Sequence, residues 1–302
     1  MHRAAAGLAV CCLRMLRERR GRVVGARVVM LVGAGDNGGD ALLAGARLRA
    51  RGVVVDALLV AAGCWEPGRA ALVAVGGRVV AATSATGAVE ARERVAAADL
   101  VLDAVVGLRG RPGLSDLVVD LLAWVSPRVP VVAVDLPSGV DPATGEIPEG
   151  HVVADVTVCF GALKPALLLP PATHAAGRVE VVDVGLGPCL SADPVVRRLS
   201  GAQVGALWPA PRRTDHKYSR SVLGVVAGSR TYPGAAVMAC MGAVRSGAGI
   251  VKYVGPFRVR VREPGTGSNS QPPDGYVDQP SGGKSPCPNH SSRPHGSVPR
   301  AR

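Results

Sequence analysis

The sequence predicts an α/β fold built on a parallel sheet, and three observations carry that reading. Short apolar, β-branched runs alternate with helix-like stretches between Arg27 and Val184. The first run opens into Gly33-Ala34-Gly35-Asp36-Asn37-Gly38-Gly39-Asp40 before a helix-like segment. Oxygen-bearing residues follow three of the expected strands, at the carboxyl edge where such sheets bind ligands.

Met1–Arg20 reads as a helix, with Ala, Leu, Val and Met spaced through it and Arg17, Arg19 and Arg20 at the end where cations suit the helix dipole. Arg27–Val32 is too short and too β-branched for a helix and reads as a buried strand. A helix is expected from Asp40 to Arg51, stopped by Gly52. Val53–Val60 and Arg78–Ala82 read as the next strands, with a helix over Ala88–Ala98. Leu100–Asp103 is a strand ending in an acid. The segment after it carries Gly107, Gly110 and Gly113, and Leu117–Trp124 is helical. Val131–Asp135 repeats the pattern of a strand ending in an acid and leads into Leu136-Pro137-Ser138-Gly139-Val140-Asp141. Ala154–Phe160 and Arg178–Val184 complete the strand set.

Composition narrows the class. A 48% hydrophobic content over 302 residues is ample for a core. The seven cysteines show neither a C-x-x-C motif nor paired spacing with histidine, so neither a disulfide framework nor a zinc site is expected. That pattern fits a reducing, cytoplasmic setting. No apolar stretch reaches the ~18 residues of a membrane span. The net charge of +12 suggests nucleic acid until it is divided by region: residues 1–27 hold +6, residues 257–302 hold +4, and the body holds only +2. Basicity at the ends says little about a site, and no specific nucleic-acid partner is expected.

The Gly33-x-Gly35-x-x-Gly38 spacing is that of a dinucleotide fingerprint, in which backbone N–H groups and a helix N-terminus receive phosphate. A tight strand–helix turn gives the same pattern. Asp36 and Asp40 stand where phosphate oxygens would go, and bare carboxylates repel phosphate. A loop this rich in oxygen suits a cation as well as a ligand. Hydroxyl, amide and carboxylate oxygens without histidine fit an alkali or alkaline-earth ion better than a transition metal. Asp56 falls 18 residues after Gly38, near the place of a ribose-binding acid, but four strand residues follow it.

Four stretches, in this order and spacing, resemble the NAD(P)H-hydrate epimerases. They are Gly33–Asp40, Leu102-Asp103-Ala104-Val105-Val106-Gly107, Val134–Asp141 and Phe160-Gly161-Ala162-Leu163-Lys164. The resemblance implies a Rossmann-like three-layer sandwich with a mostly parallel sheet, and interconversion of the R and S epimers of hydrated NADH and NADPH. By the same resemblance Asp36, Asn37, Gly38, Gly39 and Asp40 contact the hydrated nucleotide. Gly107, Leu108, Arg109, Gly110, Arg111, Pro112 and Gly113 form a second phosphate-contacting loop, and Asp135 contacts the substrate. Asn37, Asp103 and Ser138 hold one potassium ion per subunit. Asp135 and Lys164 are the candidates for proton transfer at the carbinolamine carbon, where an acid must protonate the leaving oxygen and a base must activate water.

The sequence departs from the family pattern in three places. Asp36 stands where asparagine is common, Arg109 and Arg111 enter the second loop, and Arg3–Leu8 resembles the end of the family's first helix, from which a missing upstream stretch is expected.

Residues 206–256 resemble the start of an ADP-dependent NAD(P)H-hydrate dehydratase domain, through His216–Ser221, Val225–Ala236 and Arg245–Gly249. That implies an incomplete ribokinase-like fragment of one strand and one helix, without dehydratase activity. Residues 257–302 hold eight of the 24 prolines and no hydrophobic periodicity, so a disordered tail is expected there, of frameshifted or natural origin. The expected organisation is thus 1–205, 206–256 and 257–302. The expected substrate is hydrated NADH or NADPH, with a homodimer left open. An NAD(P)-binding oxidoreductase and a non-catalytic binding module remain the alternatives.

Overall fold

The computed structural model describes residues 1–108, 110–148, 150–190, 193–208 and 210–256. Arg109 and the expected tail, 257–302, lie outside the described residues. Two compact units are present, Met1–Leu199 and a second that begins at Ser200.

In the first unit, α1 (His2–Arg20) precedes β1 (Arg27–Val32), α2 (Asp36–Arg49), β2 (Val54–Leu59), α3 (Glu66–Ala74), β3 (Arg78–Ala81), α4 (Ala85–Ala96) and β4 (Leu100–Ala104). Then come α5 (Asp116–Ala123), β5 (Val131–Val134), β6 (Val156–Phe160), the short α6 (Ala172–Ala175) and β7 (Arg178–Val182). The seven strands form one sheet in the order β3-β2-β1-β4-β5-β6-β7, and every pairing is parallel.

The three-layer reading follows from side-chain alternation along β1. Val28, Met30 and Val32 join α1 and α2 through Leu8, Leu16, Leu42 and Leu48 on one face. Val29 and Leu31 join α4 and α5 through Ala91, Val95, Val118 and Leu121 on the other. A strand covered on both faces has no reason to alternate with polar residues, which is why it reads as a continuous apolar run. Gly45 lets α2 lie close to the sheet, since a Cβ there would come within 2.8 Å of Met30 Cε.

Three expectations are corrected. The second helix begins at Asp36, not Asp40, because Gly35 is its N-cap in an extended conformation and the Asp36–Gly39 stretch is already its first turn. Glycines that look like loop sequence were therefore helix residues placed for close approach. The helix α3 was not foreseen. It is nine residues long and starts on Glu66-Pro67-Gly68, composition that reads as a turn. The second unit holds more than one strand and one helix: β8 (Val222–Val226) and β9 (Ile250–Val254) pair in parallel, connected through α8 (Pro233–Arg245). It also contains α7 (Gly201–Leu207), whose N-terminus carries a reciprocal Ser200–Gln203 capping box.

No helix among the described residues is long and apolar enough to cross a membrane.

Candidate functional site

The site forms at the carboxyl edge of β1, β4 and β5, the three central strands. Outward from β1 the chain turns directly into α2. Gly33 is required there because a Cβ on it would lie 1.9 Å from the Val105 carbonyl oxygen, and one on Gly38 would lie 2.2 Å from the Gly33 carbonyl oxygen. Gly35 has open space around it. These glycines press the turn against the segment after β4, and that contact brings Asn37 to its neighbours.

Asn37 lies in the first turn of α2 and is buried. Its Nδ2 donates to the Val134 carbonyl at 2.6 Å and, more weakly, to the Val106 carbonyl at 3.4 Å. Its Oδ1 faces Gly107, where a Cβ would come within 2.6 Å. Asp103 is fully buried near the end of β4. It accepts from the Ser138 hydroxyl at 2.5 Å and the Ser138 backbone N–H at 2.7 Å. The Ser138 Oγ in turn accepts from the Val106 N–H at 2.9 Å. Asn37, Asp103 and Ser138, scattered over a hundred residues of chain, are thus joined through the backbone N–H and carbonyl of Val106. Burial pushes the Asp103 carboxyl up to about 6, and the two bonds from Ser138 oppose that rise.

Asp135 follows β5 in the left-handed region, φ 68°, which aspartate tolerates better than most residues. Its carboxylate accepts from the Phe160 N–H at 3.1 Å and forms a buried ion pair with the Lys164 ammonium. Lys164 Nζ also donates to the Phe160 carbonyl at 2.9 Å and lies 3.4 Å from Cys159 Sγ. The pairing draws the Lys164 ammonium out of bulk solvent and against Asp135. The Cys159 thiol is raised above its ordinary value, chiefly by burial, against the pull of Lys164.

Asp40 sits one turn beyond Asn37 on α2. It is buried, and its Oδ1 has no hydrogen-bond partner. Burial pushes its carboxyl up to about 6. The amino terminus works against that rise, and the Asp135 and Asp36 carboxylates add to it. Asp36, by contrast, is exposed.

The second loop is only partly visible as a site. Gly107 abuts Asn37, Gly113 takes a positive φ of 94° and donates to the Gly139 carbonyl at 2.8 Å, and Leu108, Arg111 and Pro112 are exposed. Gly110 packs on Val106, and Pro112 lines a separate cavity of about 360 Å³ with Asp141 and Glu146. A larger cleft of about 480 Å³ lies at the ends of β2 and β3, between Leu59, Cys64, Glu66, Arg69 and Ala81.

Asp56 is not a ribose ligand. It lies in the middle of β2, almost fully buried, between Arg27 at 3.5 Å and Arg94 at 3.6 Å. Sequence reasoning missed the Val106 and Val134 carbonyls, because a backbone oxygen has no residue signature. It also missed the contact of Cys159 with Lys164, which only the turn after β6 creates.

Among the described residues no group of three or more His, Cys, Asp or Glu is arranged to hold a metal ion. The cluster that does converge is built from hard oxygens, one carboxylate, one hydroxyl, one amide and peptide carbonyls.

A parallel α/β sheet with such a cluster and a buried carboxylate–ammonium pair at its carboxyl edge belongs to the class that binds ligands at a topological switch point, here between β1 and β4. The family model described as YjeF-related protein N-terminus matches residues 1–166, and the chain belongs to that family. It is 46% identical over 268 residues to a bifunctional NAD(P)H-hydrate repair enzyme Nnr of Mycobacterium leprae, covering 86% of this chain and 52% of that protein. It is 39% identical over 208 residues to an NAD(P)H-hydrate epimerase of Clavibacter michiganensis, covering 65% of this chain and 86% of that protein. An NAD(P)H-hydrate epimerase of Microbacterium testaceum is 41% identical over 168 residues, 54% of this chain and 63% of that protein. The chain spans about half the length of the bifunctional relatives it matches.

Proposed function

We propose that the first unit interconverts the R and S epimers of hydrated NADH and NADPH, an isomerase reaction in the repair of nicotinamide nucleotides. The observation that carries the proposal is the buried Asp135–Lys164 pair set beside the Asn37–Asp103–Ser138 cluster at one edge of the sheet. Epimerisation at a carbinolamine carbon requires the hydroxyl to leave as water and to return on the other side. An ammonium held against a carboxylate supplies the proton for departure, and the carboxylate keeps that ammonium charged and aimed. The exposed Asp36 and the backbone of Gly38 and Gly39 in the first turn of α2 receive the nucleotide. Arg111, exposed in the second loop, suits its phosphates, as Arg109 does by its chemistry.

A single potassium ion fits Asn37, Asp103 and Ser138. The atoms these side chains can turn to a cation are oxygens, and the Asn37 Oδ1 sits against Gly107, where a Cβ would come within 2.6 Å. When bound, such an ion offsets the carboxylates near phosphate and holds the two loops in register. The proposal is confined to the epimerase reaction.

The test is conversion of purified R-NADPH hydrate by the full chain, followed by chromatography, in potassium and in sodium buffers. Appearance of the S epimer, faster in potassium, is the expected result. A folded chain that leaves the R epimer unchanged in both buffers sinks the proposal.

A further inference from the structure

The epimerase reading needs two proton-handling groups, one for the departing hydroxyl and one for the water that re-enters. The Asp135–Lys164 pair accounts for one. We propose that Asp40 is the other: the base that takes a proton from the returning water. The proposal rests on the epimerase reading above.

Three observations lead there. Asp40 is about nine-tenths buried and its Oδ1 has no hydrogen-bond partner. A buried carboxylate oxygen left without a donor is costly and persists where a ligand supplies the donor. Its place is also close to the site, since the Asp135 carboxylate is among the charges that act on it. It is one helical turn from Asn37, whose amide is bonded to the carbonyl of Val134, the residue before Asp135. Lastly, its lone pairs are free where those of Asp135 are not, since that carboxylate is already held by Phe160 N–H and Lys164.

The charged groups that face Asp40 come from three elements. Asp36 lies on its own helix, Asp135 follows β5, and the ammonium of Met1 lies 4.0 Å away, beyond hydrogen-bond reach. Burial above all, helped by the two carboxylates and opposed by the Met1 ammonium, raises its carboxyl to about 6, so it is ionised yet basic at neutral pH, the condition a general base needs.

The step balances as follows. Lys164 gives a proton to the hydroxyl oxygen, the C–O bond breaks, and water leaves as the ring nitrogen lone pair forms a C=N bond. A water then attacks that carbon from the other side. Its oxygen forms the new C–O bond, the C=N pair returns to nitrogen, and the extra proton passes to Asp40. Solvent exchange carries that proton from Asp40 back to Lys164. No oxidant or reductant is consumed.

The experiment measures kcat and KM for R-NADPH hydrate between pH 5 and 9 with the native chain, Asp40→Asn and Asp40→Glu. The native rate is expected to fall on the acid side of about pH 6 as Asp40 protonates. In Asp40→Asn kcat falls about 100-fold or more with KM changed less than about threefold, and the acid limb keeps only the part that Asp103, also raised to about 6, imposes. Asp40→Glu restores at least part of the rate and the limb. A smaller loss in Asp40→Asn, or an effect confined to KM, overturns the role while leaving the epimerase reading intact. A folded native chain without conversion overturns both. Circular dichroism and thermal melting of Asp40→Asn, an isosteric change at a buried carboxylate, verify that the variant folds.

Discussion

Strands β1 and β8 are alike in sequence and unlike in fate. Each is a short valine-rich run that feeds a glycine-bearing turn and a helix, and each pairs in parallel with a strand reached through a helical crossover. Every residue from Val28 to Val32 is fully buried, whereas Val222 is 55% and Val226 83% exposed. The cause is not local. β1 has a strand on either side and a helical layer on each face. β8 pairs with β9 alone among the described residues, and the second unit's core is a small cluster around Ala236, Cys240 and Tyr253. The glycines repeat the contrast. Gly33 and Gly38 meet backbone atoms where a Cβ would stand, while Gly224, Gly234 and Gly242 have open space. A glycine-rich turn becomes a site only where other strands crowd against it.

The largest effect should come from the charged pair. Lys164→Met leaves Asp135 buried without its cation, and we expect a loss of about 3–5 kcal/mol in urea unfolding together with at least a 100-fold fall in kcat. Lys252→Met, on the exposed side of β9, should change stability by less than about 0.5 kcal/mol. Equal losses for the two lysines would erase the distinction between the units.

Core truncation comes next. Leu31→Ala should cost about 2–5 kcal/mol, and Val226→Ala about 0.5 kcal/mol or less, by the same denaturation measurement. A costly Val226→Ala would show that β8 is covered in solution.

Gly33→Ala forces a methyl group into the Val105 carbonyl and should cost about 1–3 kcal/mol, with parallel loss of epimerisation. Gly234→Ala, in the first turn of α8, should be neutral or stabilise by up to about 1 kcal/mol. Calorimetry on the two variants checks both signs.

The smallest effect is a pH dependence. Asp40 and Asp103 both have folded-state values raised to about 6 from an ordinary 3.8. The folded chain therefore holds protons that the unfolded chain has released between those two values. These two groups thus favour folding at about pH 4, and their contribution declines as pH rises through about 6 and levels off above it. Asp40→Asn removes one of them. Its stability relative to the native chain should be unchanged near pH 4 and higher by on the order of 1 kcal/mol at pH 8. An advantage that is the same at both pH values would mean that Asp40 does not titrate in this range.

Most strands were legible because a doubly covered strand has a strong local signature. Arg27–Val32 matches its expected limits, and Asp103 and Asp135 fall at or next to strand ends as read. The start of α2 was misread because Gly38 and Gly39 look like loop. Their use in the helix depends on how near Gly33 and Met1 approach them, a tertiary fact. The shared edge position of Asn37, Asp103 and Ser138 was legible from strand order. That Ser138 bonds Asp103 through both hydroxyl and backbone was not, since it depends on how the loop after β5 folds back over β4.

The sequence by itself determined the alternation of strands and helices, the parallel sheet that alternation requires, and the residue types at its carboxyl edge. Periodicity and turn chemistry act over a few residues and leave a record in the order of the letters. Only the tertiary structure decided which of those residues carry strain, charge and burial together. Asp36 and Asp40 are four positions apart and chemically identical, yet one is in solvent and the other is buried near the Met1 ammonium and under the influence of Asp135. Desolvation depends on everything that packs around a group, and most of what packs around Asp40 comes from elsewhere in the chain.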